Sequence, residues 1–134
     1  MKTTGTINRA GRVRVEQARK RVRAYLAGEV VADTTQPSLV WEVPYYPTYY
    51  FPVADVRTDL LVPTATTTHC PYKGQAQYWS VRVGDRLVED LAWSYRTTLP
   101  ESQKIAGLVA FYNEHVDLFI DGQLQQRPVT KFSK

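Results

Sequence analysis

The sequence predicts a mainly β fold, an antiparallel sandwich or partly closed barrel of about seven to eight strands with one covering α-helix. Three observations carry this expectation. Nine Tyr, four Phe and three Trp in 134 residues favour pleated surfaces, on which such side chains pack well. Short stretches of alternating apolar and polar residues recur between Gly, Pro and Asp turn signals. Only one stretch, from Glu101 onward, carries helical spacing. A hydrophobic content of 43% is enough for a single domain to bury a core without staples.

The elements follow in order. Val22 to Leu26 and Val30 to Ala32 read as a hairpin around Gly28-Glu29, a glycine turn between alternating runs. Leu39 to Val43 is a strand that Pro44 ends, because proline donates no ladder hydrogen bond. Tyr45 to Pro52 holds five aromatics among prolines, a wall of rings with hydroxyl tips or a packed aromatic corner. Val53 to Val62 alternates and is closed by Pro63; if extended, Asp55, Arg57 and Asp59 share a face. An arginine between two carboxylates favours a surface ion-pair cluster over acid–base chemistry. A Thr-rich link, Thr64 to Thr68, leads into a turn over Cys70-Pro71-Tyr72-Lys73 with Gly74 after it. Gln75 to Val83 is a strand, Gly84-Asp85 a two-residue turn, and Arg86 to Glu89 its hairpin partner. Asp90 to Tyr95 forms a further strand. Beyond Pro100, the spacing of Ile105, Leu108, Val109, Phe111 and Tyr112 predicts the helix, with an acidic first turn at Glu101. Val116 to Ile120 is the last strand.

Charge divides the chain. The net charge is +4, yet residues 1–24 hold eight Lys or Arg against Glu16 alone, and the rest is net acidic. The expected organisation is a basic arm over residues 1–21, one β-rich domain over 22–122 and a polar tail over 123–134. No aromatic is interleaved in the arm before Tyr25, which removes the stacking element of a single-strand binder and disfavours nucleic acid. No apolar run reaches the roughly 20 residues a membrane span needs. One cysteine precludes an internal disulfide and fits a reducing, cytoplasmic setting.

The chemistry concentrates at Cys70 and Lys73. A thiol acts as a nucleophile only as thiolate, which a cation can stabilise. Lys73 stands three residues away across the turn, and these two are the candidate catalytic residues; a small apolar core cysteine is the alternative. His69 is adjacent in sequence, but an extended backbone points neighbouring side chains to opposite faces. His115 lies far along the chain. One Cys and two distant His do not form a structural zinc site, so no metal is expected, and no glycine-rich phosphate loop occurs.

Tyr49-Tyr50-Phe51-Pro52, Asp55-Val56-Arg57, His69-Cys70-Pro71-Tyr72-Lys73-Gly74 and Ala110-Phe111-Tyr112 together resemble the bacterial family named domain of unknown function 427, also titled nucleotidyltransferase-like. The likeness runs from about Val22 to Asp121. It implies a mainly β cytoplasmic domain with a helix and names no reaction or cofactor. The second title fits poorly: Asp55 and Asp59 bracket Arg57, where that chemistry groups carboxylates around magnesium.

The resulting expectation is a small-molecule pocket between the Tyr/Pro-rich segment and the Cys70 turn. Tyr50, Phe51, Tyr72, Tyr78 and Trp93 form walls, Lys73 and Arg57 meet an anionic or carbonyl group of a small anionic or aromatic ligand, Gly74 belongs to the same site, and Asp55 or Asp90 is a polar anchor. The alternative is a non-catalytic interaction module, with a structural aromatic core, a homodimer contact and a basic arm for an acidic partner.

Overall fold

A computed structural model describes residues 14–41, 46–70, 73–98 and 100–128, with backbone alone at 97 and 100–102. Two antiparallel sheets make up the fold. The strands are β1 Arg14–Gln17, β2 Val22–Leu26, β3 Glu29–Thr34, β4 Ser38–Trp41, β5 Thr48–Phe51, β6 Leu61–Cys70, β7 Gly74–Val83, β8 Arg86–Thr98, β9 Val109–Phe111, β10 Asp117–Ile120 and β11 Gln123–Leu124. The larger sheet runs β1-β4-β5-β9-β8-β7-β6, the smaller β11-β10-β2-β3.

The pleat divides the side chains of the large sheet between two cores. Phe51 and Phe111 meet edge to face, 5.8 Å apart. They pack with Val81 and Leu91 against Val22, Ala24 and Val31 of the small sheet. On the opposite face, register places Tyr50, Ala110, Trp93 and Tyr78 in one row across β5, β9, β8 and β7. Directly opposed residues share a face. This row gathers with Val15, Val40 and Tyr95 around Ile105, which belongs to a 3₁₀ turn over Pro100–Ile105.

The structure corrects several expectations. Among the described residues there is no α-helix, so the covering element is this 3₁₀ turn. Gly107 stops a helix there: it sits at φ +80°, a conformation glycine adopts freely, and its N–H donates to Tyr95 O at 2.8 Å. The apolar run beyond it becomes β9, buried at every position, because it lies between β5 and β8. Residues buried on both faces lose the alternation that marks a half-buried strand. Among the described residues, eleven strands replace about seven to eight, arranged as two sheets.

Val53 to Val62 is not one extended strand. Two 3₁₀ turns, Val53–Asp55 and Thr58–Leu60, flank Val56, which bridges to Ala32. The strand instead begins at Leu61 and runs through Pro63 and the threonines. Pro63 is tolerated because β6 is an edge strand whose register shifts between Pro63 and Thr67. Within the expected tail, Gln123 and Leu124 form β11 after a turn with Asp121 and Gly122 both at positive φ. That pattern fits a two-residue hairpin turn. Part of the expected arm, from Arg14, pairs with β4, while residues 1–13 lie outside the described ones. No helix among the described residues is long and apolar enough to cross a membrane.

Candidate functional site

Two bulges face each other across β7. On β6 the register shifts between Pro63, opposite Trp79, and Thr67, opposite Gln77, which leaves Thr64 to Thr66 opposite Tyr78. On β8 it shifts between Ala92, opposite Trp79, and Val88, opposite Val81, leaving Glu89 to Leu91 opposite Ser80. Extra residues bend a strand and re-aim its side chains. Threonine hydroxyls hold the first bulge: Thr64 Oγ1 donates to Tyr78 O at 3.3 Å and accepts the Thr66 N–H at 3.2 Å.

Asp90 is the pivot of the second bulge. Its backbone sits at φ +52°, a left-handed conformation that costs on the order of 1–3 kcal/mol unless the surroundings hold it. Two contacts do so. The Asp90 N–H donates to Ser80 Oγ at 3.2 Å, and Thr66 Oγ1 donates to Asp90 Oδ2 at 2.8 Å. The bulges thereby frame a cleft of about 300 Å³, lined by Thr66, Thr68, Tyr78, Asp90, Tyr112 and His115, with Val88, Leu91 and Glu89 completing it.

Aromatic packing supports the cleft from behind. Trp93 lies 4.6 Å from Tyr112 and 6.2 Å from Tyr78 between ring centroids. Its Nε1–H donates to the Tyr50 hydroxyl at 2.9 Å. Tyr78 and Thr68 share a 3.0 Å hydrogen bond between hydroxyls. Burial pushes the Tyr112 phenol well above the ordinary tyrosine range, aided by its hydrogen bond with Tyr78 and by the charge of Glu114. A phenol is neutral at physiological pH in any case, and the shift keeps Tyr112 so further into alkali.

The structure brings together only part of the expected site. Tyr78 and Asp90 line the cleft, and Tyr50 and Trp93 stand behind it. Phe51 points to the opposite face and packs in the other core. Asp55 lies in the first 3₁₀ turn. Arg57 is an exposed ion-pair centre, with two hydrogen bonds to Asp59 at 2.9 and 2.8 Å and one to Glu29 at 3.2 Å. Tyr72 and Pro71 lie outside the described residues.

Cys70, Lys73 and Gly74 meet at the turn end of the β6–β7 hairpin. The Lys73 N–H donates to Cys70 O at 3.3 Å, and Gly74 takes φ +112°. Cys70 is half-buried against the Tyr50–Tyr78 cluster. Lys73 is only 5% exposed, with Nζ 5.2 Å from the Tyr95 ring centroid. Neither lines the cleft. His69 is exposed, and His115 lines the cleft with Asp90.

Thr66, Thr68, Glu89 and Tyr112 escaped the sequence reading. One signal was present: an aspartate amid strand residues is unfavourable and marks a bulge. The Tyr/Pro-rich segment divides, since Tyr46, Pro47 and Tyr49 line a separate cleft of about 420 Å³ with Gln125 to Pro128. Among the described residues, no three His, Cys, Asp or Glu are grouped to hold a metal ion.

A family model described as a domain of unknown function (DUF427) matches residues 14–122. No curated protein matches the chain.

Proposed function

The chain belongs to the DUF427 family, whose function is unknown, and from that premise we propose that it binds a small polar molecule in the Asp90 cleft. The observation that carries this reading is Asp90 itself, a carboxylate held in left-handed backbone with one oxygen tied to Thr66 at the cleft wall. Strained residues persist where the fold over-determines them, and they cluster at ligand sites. The cleft volume is at the lower end of the range for small-molecule pockets, and Val88 and Leu91 line it together with the polar groups. Tyr78, Tyr112, Thr66, Thr68 and His115 provide hydroxyl and imidazole partners for a polar ligand.

Thiolate catalysis is not part of this reading. Cys70 packs against the aromatic cluster and does not line the cleft. The cations expected to meet an anion, Lys73 and Arg57, are likewise absent from its walls.

Soaking crystals with a library of small polar fragments tests the proposal. Density between Thr66, Asp90 and His115 supports it. Fragments that collect only in the Tyr46–Arg127 cleft, with the Asp90 cleft empty at saturating concentration, would refute it.

A further inference from the structure

We infer that the Asp90 cleft selects an organic cation, a protonated amine or quaternary ammonium; the inference rests on the ligand-binding reading above. Glu89 and Asp90 line the cleft, and no Lys or Arg does so among its described lining residues. One Asp90 oxygen accepts from Thr66, yet a carboxylate carries about four lone-pair sites, which leaves capacity for a ligand. Tyr78 and Tyr112 line the same space, and their rings attract a cation through the negative π face. Tyr112 adds no charge of its own at neutral pH, since a phenol ionises only near about pH 10. Val88 and Leu91 give the cleft an apolar part, suited to the alkyl groups of an ammonium ion. Carboxylate, ring and alkyl surfaces converging in one small volume match such a cation better than an anion or a neutral polyol.

The probes are choline, its uncharged carbon isostere 3,3-dimethylbutan-1-ol, and acetate, each titrated into the ¹⁵N-labelled protein. Choline is expected to shift the amides of Thr66, Thr68, Asp90 and His115 and to bind at least about tenfold tighter than the isostere. Asp90→Asn, which tolerates left-handed backbone, should remove most of that preference, bringing choline and the isostere to within about threefold of each other. Glu89→Gln on the exposed rim should reduce choline affinity about threefold, and provides an independent variant if Asp90→Asn misfolds. Equal binding of choline and the isostere, or tighter binding of acetate at these residues, would overturn the cation inference while the ligand-binding reading stands. If none of the three probes shifts these amides at 50-fold molar excess or higher, the cation inference fails, and the fragment soaks decide separately whether the cleft binds anything.

Discussion

Thr66 reaches over β7 to donate a 2.8 Å hydrogen bond to Asp90, coupling the bulge of the edge strand to the bulge of β8. The contact has two consequences that mutation can separate. It supports a left-handed backbone at Asp90, and it fixes a carboxylate at the cleft wall. Asp90→Ala keeps the backbone demand and removes the partner, so it should cost about 1–2 kcal/mol in urea unfolding. Asp90→Gly also removes the partner but relieves the strain, and should be close to neutral. A double-mutant cycle with Thr66→Val should return a coupling near 1 kcal/mol. Equal destabilisation by Ala and Gly would show that strain at Asp90 is not a factor.

The Tyr50 hydroxyl is the acceptor for Trp93 Nε1–H, and Tyr50 is fully buried. Tyr50→Phe leaves the indole N–H without that acceptor, at a cost of about 1–3 kcal/mol. Chemical denaturation measures the loss. Trp93 emission should also change, since the indole contacts Tyr112 and Tyr78 directly.

Tyr112 makes stability fall in alkali. Its folded-state phenol is shifted up, by burial first and then by the hydrogen bond with Tyr78. The folded chain therefore holds a proton that the unfolded chain releases near the ordinary value of about 10. The stabilisation is complete below that pH and is lost as pH rises through the folded-state value. Unfolding free energy should decline above about pH 10, and Tyr112→Phe should make the decline shallower. Tyr49, also shifted up by burial, contributes in the same direction and remains in the variant. An identical slope with and without Tyr112 would count against this assignment.

Cys70 should behave as a packed side chain. Its place against the buried cluster that holds Tyr50 and Tyr78 predicts labelling by a disulfide reagent at least about tenfold slower in the native protein than in urea. Native labelling as fast as in urea would return Cys70 to the candidates for chemistry.

The fold was legible where local rules act alone. Hairpins at Gly28 and Gly84 follow from turn residues between alternating runs. Val109 to Phe111 misled because double burial erases alternation and leaves spacing that a helix could also satisfy. Pro63 hid β6, since only an edge position and a register shift make a proline acceptable there. The site was half legible for a related reason. Tyr78, Trp93 and Asp90 stand out by residue type, but Thr66 and Tyr112 join them through two register shifts and a long-range strand pairing. Periodicity within one strand carries no record of either. Phe51 was grouped with Tyr50 by adjacency, and the pleat separates the two to opposite cores.

The Asp90 cleft is the proposed place where this chain meets its ligand. The most direct measurement is a fragment screen by amide chemical shifts on the wild-type protein and on Thr66→Trp, whose indole would fill the cleft mouth. The expected hits have their largest shifts on Thr66, Thr68, Tyr78, Asp90 and His115 and vanish in a folded Thr66→Trp protein. Hits that persist unchanged in that variant, or that map to Tyr46, Tyr49 and Arg127 instead, would contradict it.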